Sequence, residues 1–154
     1  ADYLEAHEID ILFCIGGDGT QRGAHAIAEE VRKRGAACSI VGIPKTIDND
    51  VPYVYMSFGY PTALEGAADV LRQAHVEARC HENGVGLVKL HGRAAGFITA
   101  GAAVAAQEAN FVLVPEIEFP LECEGGFLDA IERRFLSRHH AVVAVAEGAG
   151  QQLF

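Results

Sequence analysis

The chain has 154 residues, enough for one domain with a real core or for part of a larger one. Half of it is hydrophobic and 21% is charged, which excludes a disordered chain, and a formal net charge of -9 argues against a nucleic-acid or membrane-surface binder. The same charge repels a phosphorylated ligand at long range, so such a ligand would need local Lys or Arg, backbone N–H groups or a divalent cation.

A short helical stretch precedes "IDILFCIGG" (9–17), which reads as a buried strand ending in glycines. "TQRGAHAIAEEVRKRG" (20–35) places Ala24, Ile27, Ala28 and Val31 on one helical face, with Gly35 as a stop. "CSIVGI" (38–43) is a second strand. A polar loop then runs to about residue 57 and opens a long helix in which Leu64, Ala68, Leu71 and Ala78 share a face. "GVGLVKL" (84–90) is a third strand, followed by an alanine-rich helix over 95–108. "FVLV" (111–114), "GGFLDAIERRFL" (125–136) and "AVVAVA" (141–146) complete the series as strand, helix and strand. The strands are continuous apolar runs, which predicts burial on both faces. The expected fold class is therefore α/β, Rossmann-like, with helices on both faces of mostly parallel sheets, as an incomplete fragment of a larger protein.

Cys14, Cys38, Cys80 and Cys123 are scattered without a CxxC pair and read as buried free thiols of a reducing compartment. No apolar stretch reaches spanning length and the N-terminus lacks a signal-peptide pattern, so the chain reads as soluble and intracellular unless a targeting segment has been cut away.

In open parallel sheets, ligands bind beyond the carboxyl ends of the strands. Those ends read "GGDGT", "PKTIDND", "HGR", "PE" and "EGAG", so the unusual polar residues gather at one edge. In the first stretch, Gly16, Gly17 and Gly19 let the backbone turn tightly and approach a ligand, while the following helix, opening at Thr20, offers unpaired N–H groups. A carboxylate there would repel phosphate unless a metal lies between, so Asp18 reads as an Mg²⁺ partner, directly or through water. The competing reading is a tight turn with Thr20 or Asp18 capping the helix.

In "PKTIDND", Pro44 stops the strand and Thr46, Asp48 and Asp50 alternate, so in an extended segment these three would face one ligand. A carboxylate beside a substrate hydroxyl can act as general base while that oxygen attacks phosphorus, and Lys45 offers positive charge to a phosphate. A loop rich in Asx turns would explain the Asp and Asn residues but not the Lys and Thr. Arg93 could bind a phosphoryl group bidentately. Glu147 suits sugar hydroxyls, with a helix cap as the rival role.

His91 reads as a packed or hydrogen-bonded imidazole. His139-His140 reads as a solvated turn, and "RRFLSR" (133–138) as the charged end of a helix. The Phe and Tyr residues around 53–60 are expected to pack a loop. Glu116 in "PEIEF" reads equally as a metal ligand or a loop cap.

With these residues assembled, the chain closely resembles the phosphofructokinase family, enzymes that phosphorylate fructose 6-phosphate on its 1-hydroxyl. "GGDGT", "GIPKTIDND", "VKLHGRAAGF", "LVPE" and "VAEGAG" match the family's landmarks in order and span essentially the whole chain. The resemblance implies that Asp18 helps hold Mg²⁺, with Gly17, Gly19, Thr20 and Lys45 around the ATP phosphates. It implies that Asp48 is the base, that Thr46 and Asp50 support the reacting groups, and that His91 and Gly92 contact the sugar phosphate. Arg93 would steady the moving phosphoryl group and Glu147 would hold a sugar hydroxyl.

Gly19 stands where pyrophosphate-using members typically carry a second Asp, whereas Lys45 is typical of pyrophosphate users. This mixed pair resembles the ATP-dependent branch found in plants and trypanosomes. His91 replaces the usual Met of an "MGR" motif, and Gly84 stands where bacterial members carry an arginine reaching a neighbouring subunit. The resemblance divides the chain into 1–57, part of a nucleotide-binding domain, and 58–154, part of a sugar-phosphate-binding domain. It further implies a cytoplasmic homo-oligomer, a dimer or tetramer, and an isolated fragment with little or no activity. Rival readings are a pyrophosphate-dependent enzyme, a NAD- or lipid-kinase relative, and a non-catalytic sugar-phosphate-binding regulatory subunit.

Overall fold

A computed structural model describes residues 1–153. In chain order the elements are α1 (Asp2–Ala6), β1 (Ile11–Gly16), α2 (Asp18–Arg34), β2 (Ser39–Pro44), α3 (Tyr60–Arg79), β3 (Gly84–Leu90), α4 (Phe97–Ala106), β4 (Phe111–Leu113), α5 (Phe127–Arg138) and β5 (His140–Ala146), followed by a 3₁₀ turn at Gln151–Leu153. The strand–helix alternation is the expected one, and every strand pairing is parallel. Two boundaries differ usefully. The second helix starts at Asp18, so that residue lies inside its first turn rather than in the preceding loop. The fourth is shorter at both ends, with Gly96 as its N-cap and Gln107 (φ 58°) turning left-handed after its last turn.

The chain divides into two compact units. The first comprises Ala1–Thr46 and Asp50–Gly59; the second comprises Ile47–Asn49 and the described chain from Tyr60 onward.

In the first unit, β1 and β2 pair from Ile11↔Ser39 to Gly16↔Pro44. Helix α2 packs on them and buries Ala24 and Val31, two of the four residues whose spacing marked its apolar face. Arg34 at its end pairs with Glu30 and with Asp2 of α1. The opposite sheet face departs from expectation. Ile11, Phe13 and Ile15 are 52%, 58% and 61% exposed, because they alternate onto one side of the strand and α2 covers the other.

In the second unit the sheet order is β3–β5–β4. The central strand is buried as its apolar run predicts, with Ala141, Val142, Val143, Ala144 and Ala146 all closed to solvent. On the edge strand β3, Val85 and Leu87 remain exposed. One face is covered by α3 and α4, whose Ala67, Ala68, Leu71, Ile98, Ala102 and Ala106 form the core with Val88, Val142 and Ala144. Small residues let these layers approach closely. A Cβ on Gly86 would lie 2.8 Å from the carbonyl oxygen of Ala74, so the α3 backbone rests directly on β3. Phe127 of α5 meets Phe111 edge-on at 5.5 Å between ring centroids. Phe111 is in register with Val143, whose side chain points away from the Val142 face, so α5 covers the other side of the sheet.

Leu71 has no exposed surface. Leu71→Ala is expected to cost ~2–5 kcal/mol, read as a lower midpoint in urea unfolding. A loss below about 1 kcal/mol would remove the α3–α4 seam from the core.

Several expectations about single residues are corrected. All four thiols are free, but Cys80 and Cys123 are exposed and Cys14 and Cys38 only half-buried. His140 opens β5 and stacks on His75, with ring centroids 5.1 Å apart, rather than lying in a solvated turn; His139, at φ 58°, makes the turn alone. Tyr53, Tyr55 and Phe58 are exposed rather than packed. Residues 133–138 do form the charged end of α5, where Arg134 Nε donates to the His140 carbonyl at 2.9 Å.

Candidate active site

In the first unit, the parallel register brings the ends of β1 and β2 side by side at Gly16 and Pro44. The Lys45 N–H donates to the Gly16 carbonyl at 2.8 Å. Gln21 Nε2 donates to the carbonyls of Gly16 (2.9 Å) and Ile43 (3.0 Å), lashing the two strand ends together. Sequence reasoning missed Gln21. Its signal was its place in the first turn of a helix that starts at a strand end.

Gly17 is the N-cap of α2, and no side chain caps that end, so neither Thr20 nor Asp18 acts as the cap. A Cβ on Gly17 would come within 3.4 Å of the Thr46 Cβ, so the glycine turn and Thr46 abut. Asp18 faces Arg22 one turn along, at 2.9 and 3.1 Å, and its side chain is 39% exposed. Thr20 and the Lys45 side chain are exposed. A Cβ on Gly19 would meet nothing within 4 Å. Glycine in a helical turn is disfavoured against Ala by roughly 0.5–1 kcal/mol, and no packing among the described residues demands it at position 19.

The "PKTIDND" stretch is not the extended segment that the alternation of Thr46, Asp48 and Asp50 assumed. The chain bends at Ile47–Asp48 and Asn49 is left-handed, at φ 55°. Thr46 and Asp50 belong to the first unit and Asp48 to the second. Asp48 is half-buried, and its neighbour Ile47 packs on the core made by α3, α4 and the sheet. Asp50 is also half-buried, and its Oδ1 is shielded from solvent with no hydrogen-bond partner among the described residues.

In the second unit, β3 and β5 end together at Leu90 and Ala146. The Glu147 N–H donates to the Leu90 carbonyl at 2.9 Å, and the Gly148 N–H donates to the Gly92 carbonyl at 3.1 Å. The turn carrying Arg93 is thereby bonded to the turn carrying Glu147. Gly92 is buried and holds φ 131°, a conformation that side chains rarely adopt. Arg93 and Glu147 have exposed side chains, and Arg93 has no ion pair among the described residues. His91 is exposed rather than packed, with no ring hydrogen bond among the described residues. Glu116 accepts the Gly96 N–H at 2.8 Å, so of its two expected roles the structure gives it the cap.

Each unit is thus a parallel α/β layer of the kind that takes ligands at the carboxyl ends of its strands. The sequence profile of the phosphofructokinase family matches residues 1–153, and the chain belongs to that family. It is 48% identical over 159 residues to the ATP-dependent 6-phosphofructokinase of Borreliella burgdorferi, covering 99% of this chain and 36% of that protein. It is 49% identical over 152 residues to ATP-dependent 6-phosphofructokinase 7 of Arabidopsis thaliana, covering 99% of this chain and 31% of that protein. With the ATP-dependent 6-phosphofructokinase of Trypanosoma cruzi it shares 50% identity over 150 residues, covering 97% of this chain and 30% of that protein. The chain therefore spans about a third of the length of these relatives.

Among solved structures, the pyrophosphate-dependent phosphofructokinase from Marinobacter aquaeolei superimposes with a TM-score of 0.80 at 26% identity, over 96% of this chain and 39% of that one. Phosphofructokinase from Saccharomyces cerevisiae matches with a TM-score of 0.74 at 27% identity, over 95% of this chain and 22% of that one. The expected family and fold class are both borne out.

Proposed function

We propose that the intact protein transfers the γ-phosphoryl group of ATP to the 1-hydroxyl of fructose 6-phosphate, giving fructose 1,6-bisphosphate and ADP. The reading rests on the 48–50% identity to ATP-dependent 6-phosphofructokinases, together with the bonded Arg93 and Glu147 turns, which leave a guanidinium and a carboxylate exposed at one strand end. In this mechanism Asp48 takes the hydroxyl proton as the sugar oxygen attacks phosphorus and the bond to ADP breaks. Arg93 balances the charge on the moving group, while His91 and Gly92 meet the sugar phosphate and Glu147 a sugar hydroxyl. Thr46 and Asp50 flank the base in sequence and orient the reacting groups. Gly17, Gly19, Thr20 and Lys45 receive the nucleotide phosphates at the N-terminus of α2. The first unit then serves as part of the nucleotide-binding half and the second as part of the sugar-phosphate half, in a cytoplasmic homo-oligomer.

Among the described residues no three His, Cys, Asp or Glu side chains form a ready-made metal cage. One half-exposed carboxylate at a helix start suits an ion that arrives with phosphates, since Mg²⁺ keeps several waters and takes one or two protein carboxylates. Asp18 would be that carboxylate on giving up its pairing with Arg22, and Mg²⁺ bound there would neutralise phosphate charge. Among the described residues no helix is long and apolar enough to cross a membrane.

Gly19 favours ATP over pyrophosphate, because the space beside it is open; Lys45 is the feature that favours the alternative donor. Assaying the full-length protein with each donor is expected to give turnover with ATP and little with pyrophosphate. Faster turnover with pyrophosphate would reverse the assignment, and none with either would favour a regulatory subunit. Gly19→Asp is expected to lower kcat/KM for ATP by ~10²-fold or more, because a carboxylate set against phosphates costs several kcal/mol. Its side chain would enter open space, so folding should be unaffected; an unchanged kcat/KM would separate Gly19 from donor choice.

A further inference from the structure

Arg93 lies in a turn, residues 91–96, between β3 and α4. Its guanidinium is exposed while Gly92, Ala95 and Gly96 are buried, so the backbone is held and the side chain is left to reach outward. One hold comes from the end of β5. The Gly148 N–H bonds the Gly92 carbonyl at 3.1 Å, and a Cβ on Gly148 would collide with the Arg93 carbonyl oxygen. The second hold comes from the segment after β4. Glu116 Oε1 accepts the Gly96 N–H at 2.8 Å from twenty residues away. A Cβ on Gly96 would run into Val114 and lie 3.0 Å from Glu116 Oε2, so the carboxylate sits flat against this one glycine. Gly96 is also the N-cap of α4, whose first backbone bond, from the Ala100 N–H, ends on the Gly96 carbonyl at 2.9 Å. This hydrogen bond ties down a buried N–H where the turn meets the helix, and so fixes both.

We propose that Glu116 is a positioning residue for Arg93: it holds the Gly96 N–H so that the turn presents the guanidinium in one place. The proposal rests on the role assigned above to Arg93. Position matters here because a displacement of about 1 Å in a catalytic group can cost ~10²-fold in rate.

The test separates reach from charge in the full-length protein. Glu116→Gln keeps an acceptor oxygen at the same reach and is expected to leave kcat within about twofold, the scatter of independent substitutions. Glu116→Asp keeps the charge but is one methylene short. It is expected to lower kcat by ~10–10²-fold with KM little changed. In an Arg93→Ala background that further loss should disappear, since the two residues act as one unit.

The same loss in both backgrounds would overturn the proposal. So would a Gln variant worse than the Asp variant, which would make charge the function, or a lowered Tm with undiminished kcat in Glu116→Asp, which would leave a plain helix cap. If Arg93→Ala itself leaves kcat intact, the role of Arg93 fails separately. Amide hydrogen exchange then still reads the hold: exchange over residues 92–97 should rise in Glu116→Ala, and unchanged exchange would refute it.

Discussion

Asp48→Asn in the intact protein is expected to lower kcat by ~10²–10⁴-fold, the usual contribution of a general base, while KM for fructose 6-phosphate changes little. The amide has the shape of the carboxylate and can still accept a hydrogen bond from the sugar hydroxyl, so ground-state binding survives. It cannot take up the proton as the oxygen attacks phosphorus, so the loss falls on the transition state. The apolar anchor of the segment is the neighbouring Ile47, and thermal unfolding of the variant separates lost chemistry from lost fold. Steady-state kinetics with both substrates varied reads the split. A variant turning over at a near-normal rate would remove Asp48 from the mechanism.

The second large effect is expected at Arg93. Arg93→Ala should lower kcat by ~10²–10³-fold, the scale of losing one preorganised donor to transition-state charge. Arg93→Lys should recover only part of that, because an ammonium cannot offer two parallel N–H bonds to a phosphoryl group. Thermal unfolding should hardly move in either variant. The side chain is exposed and has no ion pair among the described residues, and such surface substitutions usually stay within about 0.5 kcal/mol. Full activity in the Lys variant would mean that only net charge matters there. Full activity in the Ala variant would take Arg93 out of the reaction.

Much of this was legible beforehand. The order of strands and helices followed from apolar runs broken by glycine and proline, and Gly35 ends α2 in a left-handed conformation where the stop was expected. The strand-end address of the site turns followed from parallel topology alone. The environment of single side chains was less legible. An apolar run does not say which of its faces a helix will cover, so exposure at Ile11, Phe13 and Ile15 was hidden. The alternation in "PKTIDND" suggested extended backbone, but left-handed Asn49 and the bend before it break that geometry. His140 looked solvated because its stacking partner His75 lies on a different element, far back in the chain.

From residue order alone come the element types, the parallel class, the family and the candidate groups Asp18, Asp48, Arg93 and Glu147. All of these depend on local periodicity or on short contiguous motifs, which a chain carries whether folded or not. Only tertiary structure decided that Gln21 ties two strand ends and that the Arg93 turn is held by Glu116 and Gly148. The pairing of Asp18 with Arg22 is local to α2 and was hidden only because that helix was expected to open at Thr20. The others join backbone groups to residues on separate strands or helices, brought together by sheet register and burial rather than by any spacing along the chain.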